Sequence, residues 1–93
     1  MSITTTDTFD VSTRWKLSPE VSLRDEAFGA LAYHHRTRRL IFLKSPELVE
    51  LVRRLGDFSS AKDALDTLID VAQRERYVAA LSSLAKSELL RGR

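Results

Sequence analysis

The chain contains no cysteine. That removes disulfide stapling, thiolate zinc sites, cysteine-held iron–sulfur clusters and cysteine nucleophiles. Chain breakers are few: three glycines, at 29, 56 and 92, and two prolines in 93 residues. The glycines lie too far apart to build a phosphate-cradling loop. An excess of one charge is also missing. Fifteen Lys and Arg against thirteen Asp and Glu leave +2, too mild to call for nucleic acid or an anionic membrane. No apolar run approaches the length of a membrane span. The start, "MSITTTDTFDVSTRW", shows neither the basic nor the apolar region of a signal peptide. These absences together fit a cytoplasmic protein.

What is present suits one small domain. Residues 1–14, rich in Thr, Ser and Asp, read as a loose arm with Phe9, Val11 and Trp15 as points of attachment; residues 15–93 form the domain. In "EVSLRDE", Val21 and Leu23 face one way and Ser22 and Arg24 the other, the period of a half-buried strand. Phe28 to His35 forms a second short apolar stretch, with Gly29 marking a bulge or a close backbone approach. Arg36 to Arg38 turns the chain, and Arg39 to Leu43 follows as a third strand. Short links between three strands predict an antiparallel meander.

Helices take over at Ser45. Ser45 is a good N-cap, Pro46 suits the first helical position, and Glu47 complements the positive helix end. Leu48, Leu51, Val52 and Leu55 form one apolar stripe, and Gly56 ends the helix. A second helix starts at Ser60, with Asp63 three residues on and Ala61, Ala64, Leu65 and Leu68 as its stripe. A third pattern uses Tyr77, Leu81, Leu84 and Ala85, with Val78 and Leu89 beside it. No Gly or Pro separates the last two helices. One unbroken helix from Ser60 to Leu90 would be about 45 Å long at ~1.5 Å per residue, too long for this domain. A break is therefore expected within "DVAQRE", near Asp70 or Gln73. The fold class is α+β: a three-stranded antiparallel sheet followed by three helices.

Catalytic constellations are weak. His34 and His35 are strand neighbours that point to opposite faces and cannot share a metal without distortion. No carboxylate stands at ligand spacing beside them. Nothing resembles a nucleophile elbow. The reading is no enzyme, no metal and no cofactor. Arg36, Arg38 and Arg39 make a basic turn, which is ordinarily just solvated; the sharper reading is a contact for an acidic partner. A nucleic-acid-binding winged helix is the competing class. Its recognition helix usually precedes the wing hairpin, whereas this hairpin precedes all three helices. The second helix, with Asp63, Asp66 and Asp70 against Lys62, is a poor face for phosphates.

Leu40-Ile41-Phe42-Leu43 is apolar on both faces. One parity, either Leu40 and Phe42 or Ile41 and Leu43, packs under the helices. The other is covered by the arm, through Trp15 or Phe9, or by a partner. The third strand of a meander is also a sheet edge, with unpaired backbone groups. An apolar edge beside a helix is what strand addition by a peptide requires. Self-pairing of the edge in a weak homodimer is a further reading, limited by the flanking charges Arg39 and Lys44.

"RWKLSPEVSLRDEAFGALAYHHRTRRLIFLKSPELVELVRRL" resembles the mycofactocin biosynthesis peptide chaperone family, a small group within the PqqD-like RiPP recognition elements. The resemblance is carried by Trp15, Leu17, Pro19, Val21, Leu23-Arg24, Glu26, Phe28-Gly29-Ala30-Leu31, Tyr33, Arg38-Arg39-Leu40 and Phe42-Leu43. It implies a winged-helix-like layout of the three strands and three helices, and a non-catalytic chaperone that holds a ribosomally made precursor peptide as an added strand along the third strand, against the last helix. It further implies presentation to a radical S-adenosylmethionine maturase, which decarboxylates the precursor's C-terminal Tyr and links it to the neighbouring Val. The candidate peptide contacts are Arg38, Arg39, Leu40, Ile41, Phe42 and Leu43 on the edge, with Tyr77, Leu81 and Leu84 on the last helix. Neither nucleic acid nor a membrane is expected as a partner, and the chain is expected to be a monomer or a weak homodimer.

Overall fold

The computed structural model describes residues 9–92. The first eight positions of the N-terminal arm lie outside the described residues. The element order is β1 (Trp15–Leu17), β2 (Val21–Glu26), β3 (Gly29–His34), β4 (Leu40–Leu43), α1 (Pro46–Arg54), α2 (Ala61–Leu68), α3 (Arg74–Lys86) and β5 (Leu90–Gly92). Strands β2, β3 and β4 form the expected antiparallel meander, with β4 at an edge.

Residues directly opposite each other share a face of a sheet. The register pairs Val21 with His34, Leu23 with Ala32, Ala32 with Ile41 and Ala30 with Leu43. These side chains form the inner face, where Ala30, Ala32, His34 and Leu43 are fully buried. The small Ala30 and Ala32 leave room for α1, which packs against β3. Val49, Leu51, Val52 and Leu55, with Ala61, Ala64 and Leu65 of α2 and Leu81 and Leu84 of α3, complete the core.

The helix boundaries follow local chemistry. Ser45 Oγ accepts from the Leu48 N–H at 3.0 Å, with Pro46 in the first turn. Ser60 Oγ accepts from the Asp63 N–H at 3.1 Å. Other early donors of α2 are satisfied by the arm: the Ala61 N–H donates to the Thr13 carbonyl at 3.0 Å and the Lys62 N–H to that of Val11 at 2.8 Å, which pairs groups a helix start otherwise leaves open. The break between α2 and α3 falls where expected. Ile69 is extended, Asp70 caps a 3₁₀ turn at Val71–Gln73, and α3 begins at Arg74. The longest dimension of the molecule is 39 Å, shorter than the unbroken rod.

A feature absent from the expected layout is a two-stranded ribbon of β1 and β5, pairing Trp15 with Gly92 and Leu17 with Leu90. Trp15 lies over Gly92, stacks against Phe9 at 4.7 Å, and donates its indole N–H to the Asp10 carbonyl at 2.9 Å. One glycine is obligatory. Gly29 has φ +149°, and a Cβ there would lie 2.1 Å from the Leu43 carbonyl oxygen. Only a residue without a side chain lets β3 begin this close to β4.

Candidate peptide-binding edge

The parity of β4 is settled by its neighbours. Ile41 and Leu43 face the helices; Leu40 and Phe42 face outward and remain 56% and 54% exposed. The arm does not cover them through Phe9 or Trp15, which are engaged with each other and with the terminal ribbon. Leu40 and Phe42 instead join Leu31 and Tyr33 of β3 and Phe28 at the β2–β3 turn in an apolar outer face. The Phe28 and Phe42 rings lie 5.8 Å apart.

Backbone directions follow from two hydrogen bonds. The His34 N–H donates to the Arg39 carbonyl at 2.9 Å, and the His35 N–H donates to the Glu20 carbonyl at 2.8 Å. Hydrogen-bonding direction alternates along an antiparallel strand. The N–H and C=O groups of Ile41 and Leu43 therefore point at β3, and those of Leu40 and Phe42 point away from the sheet. The exposed apolar side chains thus belong to the same residues as the outward backbone groups.

Beside the end of β4 lies a groove of about 300 Å³, lined by Lys44, Ser45 and Leu48 on one side and Arg76, Tyr77 and Ala80 of α3 on the other. The Tyr77 hydroxyl and Ser45 Oγ are 3.0 Å apart, tying α3 to the cap of α1. Of the residues singled out on the last helix, only Tyr77 reaches this groove. Leu81 and Leu84 are buried in the core, where they support α3 from beneath. Lys44, read from the sequence as a charge flanking the edge, and Leu48, read as part of the α1 stripe, line the groove with Arg76 and Ala80, none of the four among the expected peptide contacts. Ala80, three residues from Tyr77 on one helical face, carried a usable signal; a lone arginine on a helix reads as solvated.

The basic turn divides. Arg36 bonds Glu20 at 3.1 Å and Glu88 at 2.5 Å, so its charge is spent within the fold. Its guanidinium holds the Glu88 carboxyl below its ordinary range through the hydrogen bond, and Glu88 and Glu20 raise Arg36 in return. Arg38, at φ +64° in the turn, and Arg39 make no ion pair among the described residues. His34 is fully buried, and its Nδ1 accepts from the Arg36 and Thr37 N–H groups, each at 3.3 Å. It shapes the turn. His35, on the opposite face, bonds Ser22 Oγ at 2.6 Å. Among the described residues no cluster of three His, Asp or Glu could hold a metal, and no helix is long and apolar enough to cross a membrane.

Comparison with known proteins agrees with a peptide-handling role. Residues 14–91 match the model of the peptide chaperone MftB family. The chain is 42% identical over 84 residues to the peptide chaperone MftB of Mycolicibacterium smegmatis, covering 89% of this chain and 82% of that protein. It is 40% identical over 83 residues to the peptide chaperone MftB of Mycobacterium tuberculosis, covering 88% and 76%. No solved structure matches the chain. With a family model spanning nearly the whole domain and relatives at this identity, the chain belongs to the peptide chaperone MftB family.

Proposed function

We propose that this chaperone binds the ribosomally made mycofactocin precursor peptide as an added strand on β4 and presents it, in the cytoplasm, to a radical S-adenosylmethionine maturase. The observation that carries the reading is the edge itself. Leu40 and Phe42 direct free backbone donors and acceptors away from the sheet while keeping their side chains exposed. A peptide strand laid there gains main-chain hydrogen bonds from the edge, and its alternate side chains meet the apolar outer face and the helix-side groove. Arg38 and Arg39 at one end and Lys44 at the other add cations for an acidic peptide and discourage edge-to-edge pairing of two copies. Leu43, Leu81 and Leu84 contribute by holding β4 and α3 in place, not by side-chain contact.

The chemistry of modification belongs to the partner enzyme. The test is a reconstitution. The precursor should bind the purified chaperone by calorimetry, keep its mass when incubated with chaperone, S-adenosylmethionine and reductant, and change mass once the maturase is added. A mass change with the chaperone alone, or no measurable binding, would refute the proposal.

A further inference from the structure

The groove beside the end of β4 has an unusual balance of groups. Lys44 and Arg76 stand on opposite walls, and neither makes an ion pair among the described residues. Arg76 donates to the neutral Gln73 Oε1 at 3.0 Å. Among the described residues no acidic one lines this groove; Glu47 lines a separate one that also borders Tyr77. Ser45 and Tyr77 bring two hydroxyl protons, and the 3.0 Å contact between their oxygens uses one of them. Ser45 Oγ already accepts from the Leu48 N–H. One hydroxyl proton therefore remains for a third acceptor, whichever of the two oxygens donates to the other. The site offers an ammonium, a guanidinium and a hydroxyl in a groove also lined by Leu48 and Ala80.

Resting on the strand-addition reading, we propose that this groove is a carboxylate subsite that takes one Asp or Glu side chain of the bound peptide. A purely apolar side chain would strip water from these donors without pairing them. A basic one would meet two like charges. A carboxylate can accept from the Arg76 fork and from the hydroxyl together, in charge-assisted bonds that are stronger than neutral ones. The register is constrained as well. Lys44 lies two residues past Phe42, about 7 Å at the ~3.3–3.4 Å rise of a strand. A peptide residue paired with Phe42 shares its outer face, so the acidic residue falls an odd number of positions away, about one or three. Its immediate neighbours point to the other side of the added strand, where the exposed Leu40 and Phe42 favour apolar side chains.

The experiment uses synthetic precursor peptide and calorimetry with the full chain. Arg76 and Lys44 are exposed, so Arg76→Gln and Lys44→Gln are expected to fold. Arg76→Gln should weaken binding about ten-fold. Among precursor variants with each Asp or Glu changed singly to its amide, one should show a similar loss with the wild-type chain and little further loss with Arg76→Gln. Such non-additivity marks a direct pair. Equal binding by the wild type and Arg76→Gln would overturn the subsite and leave strand addition standing. Additive losses for every acidic position would overturn it too. So would a loss reproduced only by amidating the peptide's C-terminus, which would assign the anion to the terminal carboxylate. Absence of binding by the wild-type chain would overturn the underlying reading and the subsite with it.

Discussion

Leu81→Ala separates core from groove on the last helix. Leu81 is fully buried among core residues, and truncating such a leucine costs about 2–5 kcal/mol through lost transfer energy and the cavity left behind. A domain of 93 residues has a total stability of about 5–14 kcal/mol at ~0.05–0.15 kcal/mol per residue. The substitution therefore removes a large share of it. At ~4–8 °C per kcal/mol for a domain of this size, the melting temperature should fall by about 10 °C or more. Leu40→Ala is the contrast. Leu40 is 56% exposed, so its loss should cost about 1 kcal/mol or less, mostly in strand preference and outer-face contact. The assay is thermal and urea unfolding of both variants beside the wild type. Equal, small shifts for the two would refute the placement of Leu81 in the core and return it to the groove wall.

Two further outcomes follow from the hairpin. Gly29→Ala should lower stability by about 2 kcal/mol or more, because its φ of +149° and the 2.1 Å approach of the Leu43 carbonyl force strain on any side chain; an unchanged urea midpoint would contradict the close β3–β4 approach. The Arg36–Glu88 clasp should show in the acid limb. The Arg36 guanidinium holds the folded Glu88 carboxyl below its ordinary value, so its contribution is present above the ordinary carboxylate range and lost as pH falls through the folded value. The small stability difference between wild type and Glu88→Gln should therefore hold near neutral pH and shrink towards zero once the pH falls below the ordinary carboxylate range. A difference that grows on acidification would show that Arg36 does not stabilise the Glu88 carboxylate.

What the sequence revealed depended on whether the cause was local. The start of α1 was legible because Ser45, Pro46 and Glu47 are chemical signals confined to one turn. The break after α2 was legible from length alone. The ribbon of β1 and β5 was not: three residues are too few to show a period, and Trp15 meets Gly92 from the far end of the chain. The parity of Leu40–Leu43 was hidden because all four residues are apolar; only the register with Ala30 and Ala32 decides it. Leu81 and Leu84 share a helical stripe with Tyr77, but the stripe does not say where the core ends and a groove begins. The basic turn was legible only in part. Arg36 is neutralised by Glu88, which is distant in sequence and near in space.

Strand addition at β4 is tested most directly by proline at alternate positions along it. Phe42 and Leu40 point their N–H groups outward, so Phe42→Pro removes a donor to the peptide and spares the ladder with β3. Ile41→Pro instead removes a ladder donor and should unfold the sheet. Phe42→Pro, with Leu40→Pro as a second variant on the same parity, should keep the wild-type circular dichroism and lose precursor binding by calorimetry. A folded Phe42→Pro chain that binds the precursor as tightly as the wild type would contradict the account.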